Sequence, residues 1–430
     1  MEHLFAARAQ MGTSLAFHFI FSALGIGLPL FLVIVEGLYL KTGDRTYYTL
    51  ARTWAKMMAA LFAIGAVSGT TIAFELGLLW PVFMQYAGGI IGIPFSLEGF
   101  AFFIEAIFIG IYLYGWDRLS PRAHWLCSFP IALGGAASGF FVVCANAWMS
   151  TPAGFTVRNG QPVDVSPFVA MFNPAWKTEV AHTLLAAYIF VAFGIAAVSA
   201  LKYLRGNTFG TMHAMRIALI VGAIAIPLQI ILGDVSARFD AHSEPIKSAA
   251  MEGQFATQAG APLRIGGIPD PERRRVLYAI EIPKMLSVLG FEDPNAVITG
   301  LDSVPEKYWP PVVVTHLSFQ AMVGTGFALL FVAGWWFFFQ RKRPVYSRPF
   351  LWTLVGSGLL GFLAMETGWM VTEEGRQPWI VYGYVLTRDA VTPVSGLGVA
   401  FSGFTIIYIA LTITLAWLLI RIDRGVQSAL

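Results

Sequence analysis

Residues 180–203 read VAHTLLAAYIFVAFGIAAVSALKY, a stretch that contains one cation, Lys202, and no carboxylate. A helix needs about 20 consecutive apolar residues to cross a bilayer, and this stretch is long enough. Comparable runs recur along the chain, at about 14–39, 54–76, 94–115, 124–149, 180–203, 215–233, 312–339, 349–371 and 396–421. The sequence therefore predicts an all-α polytopic membrane protein with nine transmembrane helices, in a single membrane domain spanning residues 1–430.

The composition supports the same class. Hydrophobic residues make up 57% of the chain, charged residues only 12%, and aromatic residues 14%. The formal net charge of +3 is small and dispersed among short loops, so no nucleic-acid partner is expected. Cys127 and Cys144 form no C-x-x-C pair, which argues against a disulfide framework and against covalently attached haem.

Lysine and arginine are unevenly distributed between the two sides of the predicted bundle. They are concentrated in alternate connections and are sparse on the opposite side, outside its one long loop. The basic connections lie around residues 41–56, 118–122, 202–216, 341–348 and 421–424. By the positive-inside rule, these connections are cytoplasmic, the N-terminus lies outside and the C-terminus inside.

The long connection, residues 234–310, is then extracytoplasmic. A loop of this length is usually functional or disordered. Within it, Leu277–Leu286 has amphipathic helical spacing and is predicted to lie along the membrane surface, where a lipid-soluble substrate would arrive. An extramembrane spacer with one packed helix is the alternative.

The stretch from Met365 to Trp379, METGWMVTEEGRQPW, brings carboxylates to the outer end of the eighth predicted helix. Carboxylates in a membrane segment are costly and usually mark an ion path, a proton relay or a ligand. Glu366 and Glu373 are seven residues apart, so they share a helix face at a separation of about 10 Å. Arg376 is suited to pair with an anionic ligand group or to form a salt bridge with Glu373 or Glu374.

Other polar residues fall in the same outer half of the predicted bundle. They are His18, Glu98, His182 and Met322. Glu98 and Glu105 repeat the seven-residue spacing. Imidazole, thioether and carboxylate are suitable ligands for haem iron, and a Met/His pair gives a low-spin electron-transfer centre. A proton-coupled transporter would explain the glutamates equally well, but it would not require the histidines or the methionine.

Short motifs carrying these residues follow one another along nearly the whole chain. They are R-x-Q at 8–10, FHF at 17–19, LEG at 97–99, FFIE at 102–105, GWDR at 115–118, ANAWM at 145–149, NP at 173–174, HT at 182–183, GD at 233–234, KSAAME at 247–252, GIPD at 267–270, Met322, and GW at 368–369 through Glu373 to GRQPW at 375–379. In this order they resemble subunit I of the cytochrome bd quinol oxidases, of the short quinol-loop type, with the cyanide-insensitive branch as the alternative.

The resemblance implies a quinol:oxygen oxidoreductase of the bacterial cytoplasmic membrane. Ubiquinol or menaquinol would be oxidised at the outer face and dioxygen reduced to water with cytoplasmic protons, electrogenically and without pumping. The implied partners are oxidase subunit II, perhaps a small single-helix subunit, and the lipid bilayer. The implied cofactors are two haem b and one haem d, or three haem b in the variant branch.

The resemblance also assigns residues. His182 and Met322 would ligate the low-spin haem b, while His18 and Glu373 would be axial ligands of the two high-spin haems, in a pairing left open. Arg376 and Trp369 would contact haem. Glu98 would lie beside the oxygen-reducing iron and Glu105 on a proton route to it. Lys247 and Glu252 match quinol-binding residues of the loop.

One departure concerns the low-spin site. The family commonly has arginine two residues before the ligand methionine, whereas this chain has Gln320. The missing positive charge should favour oxidised haem and lower its potential. His316, on the same predicted helix, is expected to pack or to hydrogen-bond a propionate.

Overall fold

The computed structural model of the protein describes residues 2–427, and helices dominate it. The helices are α1 (Glu2–Thr42), α2 (Arg45–Leu79), α3 (Pro81–Tyr114), α4 (Pro121–Ser150), α5 (Pro167–Met171), α6 (Trp176–Leu204), α7 (Thr211–Ser243), α8 (Pro245–Glu252), α9 (Met285–Phe291), α10 (Val312–Trp335), α11 (Arg348–Gly375), α12 (Thr387–Ala390) and α13 (Leu397–Gln427). A π-helical turn, Trp336–Gln340, extends α10.

Nine helices in the described part of the chain are long and apolar enough to cross a membrane, which confirms the predicted fold class. They are α1, α2, α3, α4, α6, α7, α10, α11 and α13. Local sequence sets several of their ends. The Asp44 carboxylate accepts a hydrogen bond from the Thr46 backbone N–H at 2.8 Å, and so caps α2. Ser120 caps α4 in the same way, with Pro121 in the first helical position.

The helices pack as neighbours in a bundle around α1 and α6. Helix α1 contacts α2, α4, α6 and α13, while α6 contacts α7 and α11, and α10 packs against α11. Phe31, Phe193, Phe350 and Leu354 form part of the largest buried apolar cluster. Large apolar side chains also cover the outside of the bundle, as at Phe331, where 68% of the surface is exposed. Such a surface suits lipid or a second membrane subunit.

Helix α7 continues past the predicted end of its apolar run, through Asp234 and Asp240 to Ser243. The long connection therefore comprises residues 244–311. We call the end of the bundle that carries this connection the loop end. Because residues 234–243 stay helical, their polar side chains are held beside the bundle instead of in a loose segment.

Short strands organise the long connection and two smaller loops. They are β1 (Thr156–Arg158), β2 (Gln161–Val163), β3 (Gln258–Ala259), β4 (Leu263–Ile265), β5 (Ile268–Asp270), β6 (Arg275–Leu277), β7 (Ile280–Ile282), β8 (Val297–Ile298), β9 (Trp379–Val381) and β10 (Val385–Leu386). They form five antiparallel pairs in the described residues: β1 with β2, β3 with β8, β4 with β7, β5 with β6, and β9 with β10.

The predicted amphipathic helix at Leu277–Leu286 is wrong. This segment contains β7 and reaches α9 only at Met285. Tyr278 and Lys284 have φ of 61° and 63°, a left-handed backbone that interrupts a helix. Arg264 on β4 donates a hydrogen bond to Glu281 at 2.9 Å, opposite it on β7. The apolar spacing that resembled a helix face is therefore divided between a strand and a separate short helix.

Candidate functional site

One cavity of about 1170 Å³ lies at the loop end, between the helices and the long connection. This volume exceeds the range of roughly 300–1,000 Å³ that is common for small-molecule pockets. Most of its wall is apolar. The predicted site residues on its wall are His18, His182, Lys247, Glu252, Met322, Trp369, Glu373 and Arg376.

His18 of α1 is held in one orientation by a serine of α2. Its Nδ1 lies 2.9 Å from Ser68 Oγ, and that hydroxyl donates to the Ile64 carbonyl oxygen at 3.0 Å. The hydroxyl oxygen therefore accepts a hydrogen bond from His18, which places the imidazole proton on Nδ1. The lone pair of the unprotonated Nε2 is then free to ligate a metal. A Cβ at Gly69 would lie 2.9 Å from the ring, so only glycine leaves the ring this space.

His182 and Met322 reach the same cavity from different helices, α6 and α10. The buried Nδ1 of His182 has no hydrogen-bond partner among the described residues. Met322 Sδ would lie 3.0 Å from a Cβ at Gly368, so the absence of a side chain at Gly368 gives the thioether room. An unpartnered imidazole and a thioether on one cavity wall fit a bound haem, whose iron can accept a lone pair from each.

Glu373, at the end of α11, is fixed by two donors. Asn146 Nδ2 donates to one carboxylate oxygen at 2.5 Å, and Arg376 donates to the other at 2.5 Å. Arg376 is 2% exposed and also contacts Ser150 Oγ at 3.4 Å. Its Nε has no hydrogen-bond partner in residues 2–427, so this buried guanidinium keeps a donor for an anion after pairing with Glu373.

Glu98 and Glu105 do not line this cavity. They lie on the face of α3 that packs against α4. Glu98 Oε1 accepts a hydrogen bond from Ser138 Oγ at 2.9 Å. Glu105 is 4% exposed, and its Oε1 has no partner among the described residues. Gly134 of α4 packs directly on its side chain. The two carboxylates therefore form a separate polar column in the α3–α4 interface.

Lys247 of α8 is buried, and two acidic residues enclose it. Its Nζ lies 3.3 Å from Asp240 Oδ2 and 3.4 Å from Glu244 Oε2. Burial alone would lower the pKa of Lys247, but the carboxylates raise it above its ordinary value. The sequence interpretation missed Asp240 and Glu244. Their spacing of seven and three residues before Lys247 was the signal that could have found them.

Glu252, at the end of α8, is a second buried acid on the cavity wall. Burial raises the pKa of its carboxyl to about 7, and the Arg264 guanidinium acts in the opposite direction. Its Oε2 has no hydrogen-bond partner within the described residues. A carboxyl group with a pKa near neutrality can both accept and release a proton under physiological conditions.

Gln320 and His316 attach the long connection to α10. Gln320 Oε1 accepts from the Gly266 N–H at 2.9 Å, and its Nε2 donates to the Arg264 carbonyl oxygen at 3.1 Å. The ring nitrogens of His316 lie 2.8 Å from the Met251 carbonyl oxygen and 3.2 Å from that of Gly266. His316 is therefore a buried packing residue bonded to loop backbone.

The described residues contain no group of three or more His, Cys, Asp or Glu side chains arranged to hold a bare metal ion. The candidate ligands are instead spaced singly around the large cavity. This arrangement fits iron that brings its own equatorial ligands better than iron bound only by protein.

The chain is similar to known proteins over nearly its whole length. The family model described as cytochrome bd terminal oxidase subunit I matches residues 6–426. The chain is 36% identical to the putative cytochrome bd menaquinol oxidase subunit I of Bacillus subtilis (strain 168), covering 99% of this chain and 97% of the relative. It is 33% identical to the cytochrome bd ubiquinol oxidase subunit 1 of the same organism, covering 99% and 95%.

A solved structure is similar over its whole length. The bd oxidase from Geobacillus thermodenitrificans superimposes with a TM-score of 0.93 at 38% identity, and the match covers 98% of each chain. The cytochrome bd-II ubiquinol oxidase subunit 1 of Escherichia coli (strain K12) is more distant, at 28% identity over 92% of this chain and 91% of the relative.

Proposed function

The chain belongs to the cytochrome bd terminal oxidase subunit I family, and from this premise we propose how its residues oxidise quinol and reduce dioxygen. It is subunit I of a bd-type quinol oxidase, a multi-pass protein of the bacterial cytoplasmic membrane that works with subunit II. Family membership removes the transporter alternative. The finer assignment is that quinol is oxidised at the extracytoplasmic loop end and that protons for water formation come from the cytoplasm.

One observation carries this assignment: a single cavity is lined both by the candidate iron ligands and by the acidic and basic residues of the long connection. Electron donors and acceptors must lie close together for rapid transfer. The contiguous cavity supports substrate oxidation next to the first electron acceptor.

The donor set supports three haems, as two haem b and one haem d or as three haem b. His182 and Met322 would hold the low-spin haem, and His18 and Glu373 would each hold one of the others. These groups, when bound, supply one-electron carriers and an iron with an open position for oxygen. Ser68 would keep His18 in the ligating tautomer, Arg376 would offer its free Nε–H to a haem carboxylate, and Trp369 would pack against the ring.

Proton handling is assigned to the acids. Glu252 would take a proton from quinol at the loop end. Glu105, the Ser138 hydroxyl and Glu98 would move cytoplasmic protons along the α3–α4 interface toward the oxygen site, since a hydroxyl can donate to a carboxylate while accepting from a protonated carboxyl group. Protons released at one face and consumed from the other amount to charge transfer of about 2.3 kcal/mol per charge per 100 mV, without a pump.

The family defines the substrate as a quinol, and the named relatives include one menaquinol oxidase and ubiquinol oxidases. Ubiquinol or menaquinol is therefore proposed as the donor. The exposed apolar circumference, as at Phe331, supports subunit II and a possible single-helix subunit as membrane partners.

A dithionite-reduced minus air-oxidised spectrum of the purified complex, with pyridine haemochrome analysis, tests the proposal. Haem b bands with a far-red chlorin band would support two haem b and one haem d. Haem b bands alone would support the three-haem b form. Absence of haem from a complex that oxidises quinol would overturn the cofactor assignment.

A further inference from the structure

Lys247 is enclosed by carboxylates and is not a free cation on the cavity wall. Its side chain is 5% exposed, and its ammonium lies 3.3 Å from Asp240 and 3.4 Å from Glu244. A Cβ at Gly375 would meet the Lys247 stem at 2.9 Å, so the end of α11 confines the side chain further. The ammonium therefore belongs to a buried ion cluster at the cavity wall.

The cluster contains more negative than positive charge. Glu179 of α6 interacts electrostatically with Lys247, Asp240 and Glu244, and its Oε1 has no hydrogen-bond partner among the described residues. Arg376, which follows α11 directly, is the other nearby cation and is already bonded to Glu373. One ammonium therefore interacts with three carboxylates, of which that of Glu244 is buried and those of Glu179 and Asp240 are partly buried. Buried charges of one sign are strongly unfavourable without full compensation, so such a cluster readily takes up a proton.

We propose that Asp240 and Glu244, assembled around Lys247, form a proton acceptor for quinol oxidation that is distinct from Glu252. This inference rests on the proposed function. Each quinol loses two hydroxyl protons and two electrons: one proton forms an O–H bond on Glu252 and the other on the Asp240–Glu244 pair. The two electrons would leave the quinol one at a time, each to the low-spin haem that His182 and Met322 would hold, and a quinone remains.

The two acceptors occupy different positions. Lys247 and Glu252 lie five residues apart on α8, and both side chains reach the cavity wall. Arg264 is the cation that faces Glu252, whereas Lys247 faces the Asp240–Glu244 pair. Tyr382, whose pKa is raised by burial and by Glu244, approaches the pair from the loop between β9 and β10. Each acceptor therefore has its own counter-ion and can gain or lose its proton independently of the other.

The pair also has an outlet. The Asp240 side chain is 13% exposed, while that of Glu244 is 1% exposed. Asp240 lines the cavity and is hydrogen-bonded to Glu244, so a proton received by the pair at Asp240 can pass from there to solvent at the loop end. Lys247 then acts as a positioning residue, which holds the two carboxylates together and stabilises their ionised form between turnovers.

The test uses the complete oxidase complex with the double substitution Asp240→Asn and Glu244→Gln. We expect the haem spectrum to be retained, the KM for quinol to change little and kcat to fall roughly 100-fold, as for loss of a general base. If both acceptors must be deprotonated, the acidic limb of log kcat against pH should change from a slope of about two to about one. Release of protons, followed with an indicator dye after an oxygen pulse, should slow with kcat.

Glu292→Gln is the matched control, because Glu292 is an ion-paired but 78% exposed carboxylate of the same connection. It should leave all these quantities unchanged. Asp240→Glu should restore most of the rate, since it returns the proton-accepting group. Unchanged kcat and slope in the double variant, or a raised KM with normal kcat, would overturn the proposal.

If the double variant loses haem, the single substitutions Asp240→Asn and Glu244→Gln decide by the same criteria. Lack of haem or of quinol oxidation in the unsubstituted complex would instead contradict the proposed function. The two failures are therefore distinguishable.

Discussion

His18 Nδ1 and Ser68 Oγ lie 2.9 Å apart across the α1–α2 interface, and this contact fixes which imidazole nitrogen faces the cavity. His18 is the donor in this hydrogen bond, because the serine hydroxyl already donates its own proton to a backbone carbonyl of α2. The ligand geometry at His18 thus depends on a residue that does not touch the cavity wall.

Ser68→Ala should weaken haem binding at His18, because the ring is free to change tautomer and orientation. Loss of such supporting hydrogen bonds typically costs about 10–100-fold in affinity. Haem content per protein, measured by pyridine haemochrome during detergent washing, checks the prediction. Ser96→Ala is the control, since its exposed hydroxyl bonds only to the Gly92 carbonyl. Equal haem retention in both variants would contradict the role of Ser68.

His182→Ala and Met322→Leu should each abolish the low-spin haem spectrum while the polypeptide remains inserted in the membrane. Each removes one of the two protein ligands proposed for that iron. Reduced minus oxidised spectra of membranes, normalised to immunodetected subunit, measure the loss. Met212→Leu serves as control, because Met212 lies at the start of α7 and does not line the cavity. Retention of the low-spin spectrum would refute the ligand assignment.

Gln320→Arg should raise the midpoint potential of the low-spin haem by tens of millivolts, because a buried positive charge disfavours the oxidised form. Gln320→Met separates this effect from attachment of the loop, since it removes the bonds to Gly266 and Arg264 without adding charge. Optical redox titration gives the potentials. If the arginine and methionine variants have similar potentials, the loss of the loop bonds, and not the added charge, determines the potential.

Glu252→Gln should stabilise the complex at alkaline pH relative to the unsubstituted protein. The folded-state pKa of Glu252, about 7, lies above its ordinary value, so ionisation destabilises the fold. The penalty is absent at pH below the ordinary value, grows as pH rises and is complete above about 7. Thermal unfolding should therefore be measured between pH 5 and pH 8. The variant should unfold at a higher temperature than the unsubstituted protein, by a difference that grows with pH. A pH-independent difference would contradict it.

Ser138→Ala should slow oxygen reduction about tenfold or more, while quinol still reduces the low-spin haem at the normal rate. The substitution removes the hydroxyl that bonds to Glu98 and interrupts the proposed proton route. Stopped-flow reduction under anaerobic conditions isolates the first step, and oxygen consumption measures the whole cycle. Equal slowing of both steps would place Ser138 outside proton delivery.

The sequence predicted the nine helices because each apolar run is long. It made His18, His182 and Glu373 candidate ligands because polar groups in such runs are conspicuous, whereas Met322 became a candidate ligand through the family resemblance. The acids around Lys247 were harder to find. Asp240 follows the end of its apolar run and was interpreted as loop, although α7 continues through it. Helical continuation there depends on packing of the long connection, which local hydrophobicity does not report.

Side-chain partners were also beyond the sequence. The spacing between Glu98 and Glu105 placed both acids on one face of α3. It did not show that this face packs against α4 and does not line the cavity. Leu277–Leu286 failed for a related reason. Its apolar spacing fits a helix face, yet the pairing of β7 with β4, fifteen or more residues away, determines its conformation.

Gln320 and His316 fasten the backbone at residues 251–266 to the same helix that carries Met322. Beyond this fastened part, the tip of the connection is open to solvent, as at Tyr278, which is 89% exposed. Insertions at exposed tips cost little free energy when the flanking backbone is held. The tip is thus a position where the chain can lengthen, diversify or carry an added tag while Met322 stays in place.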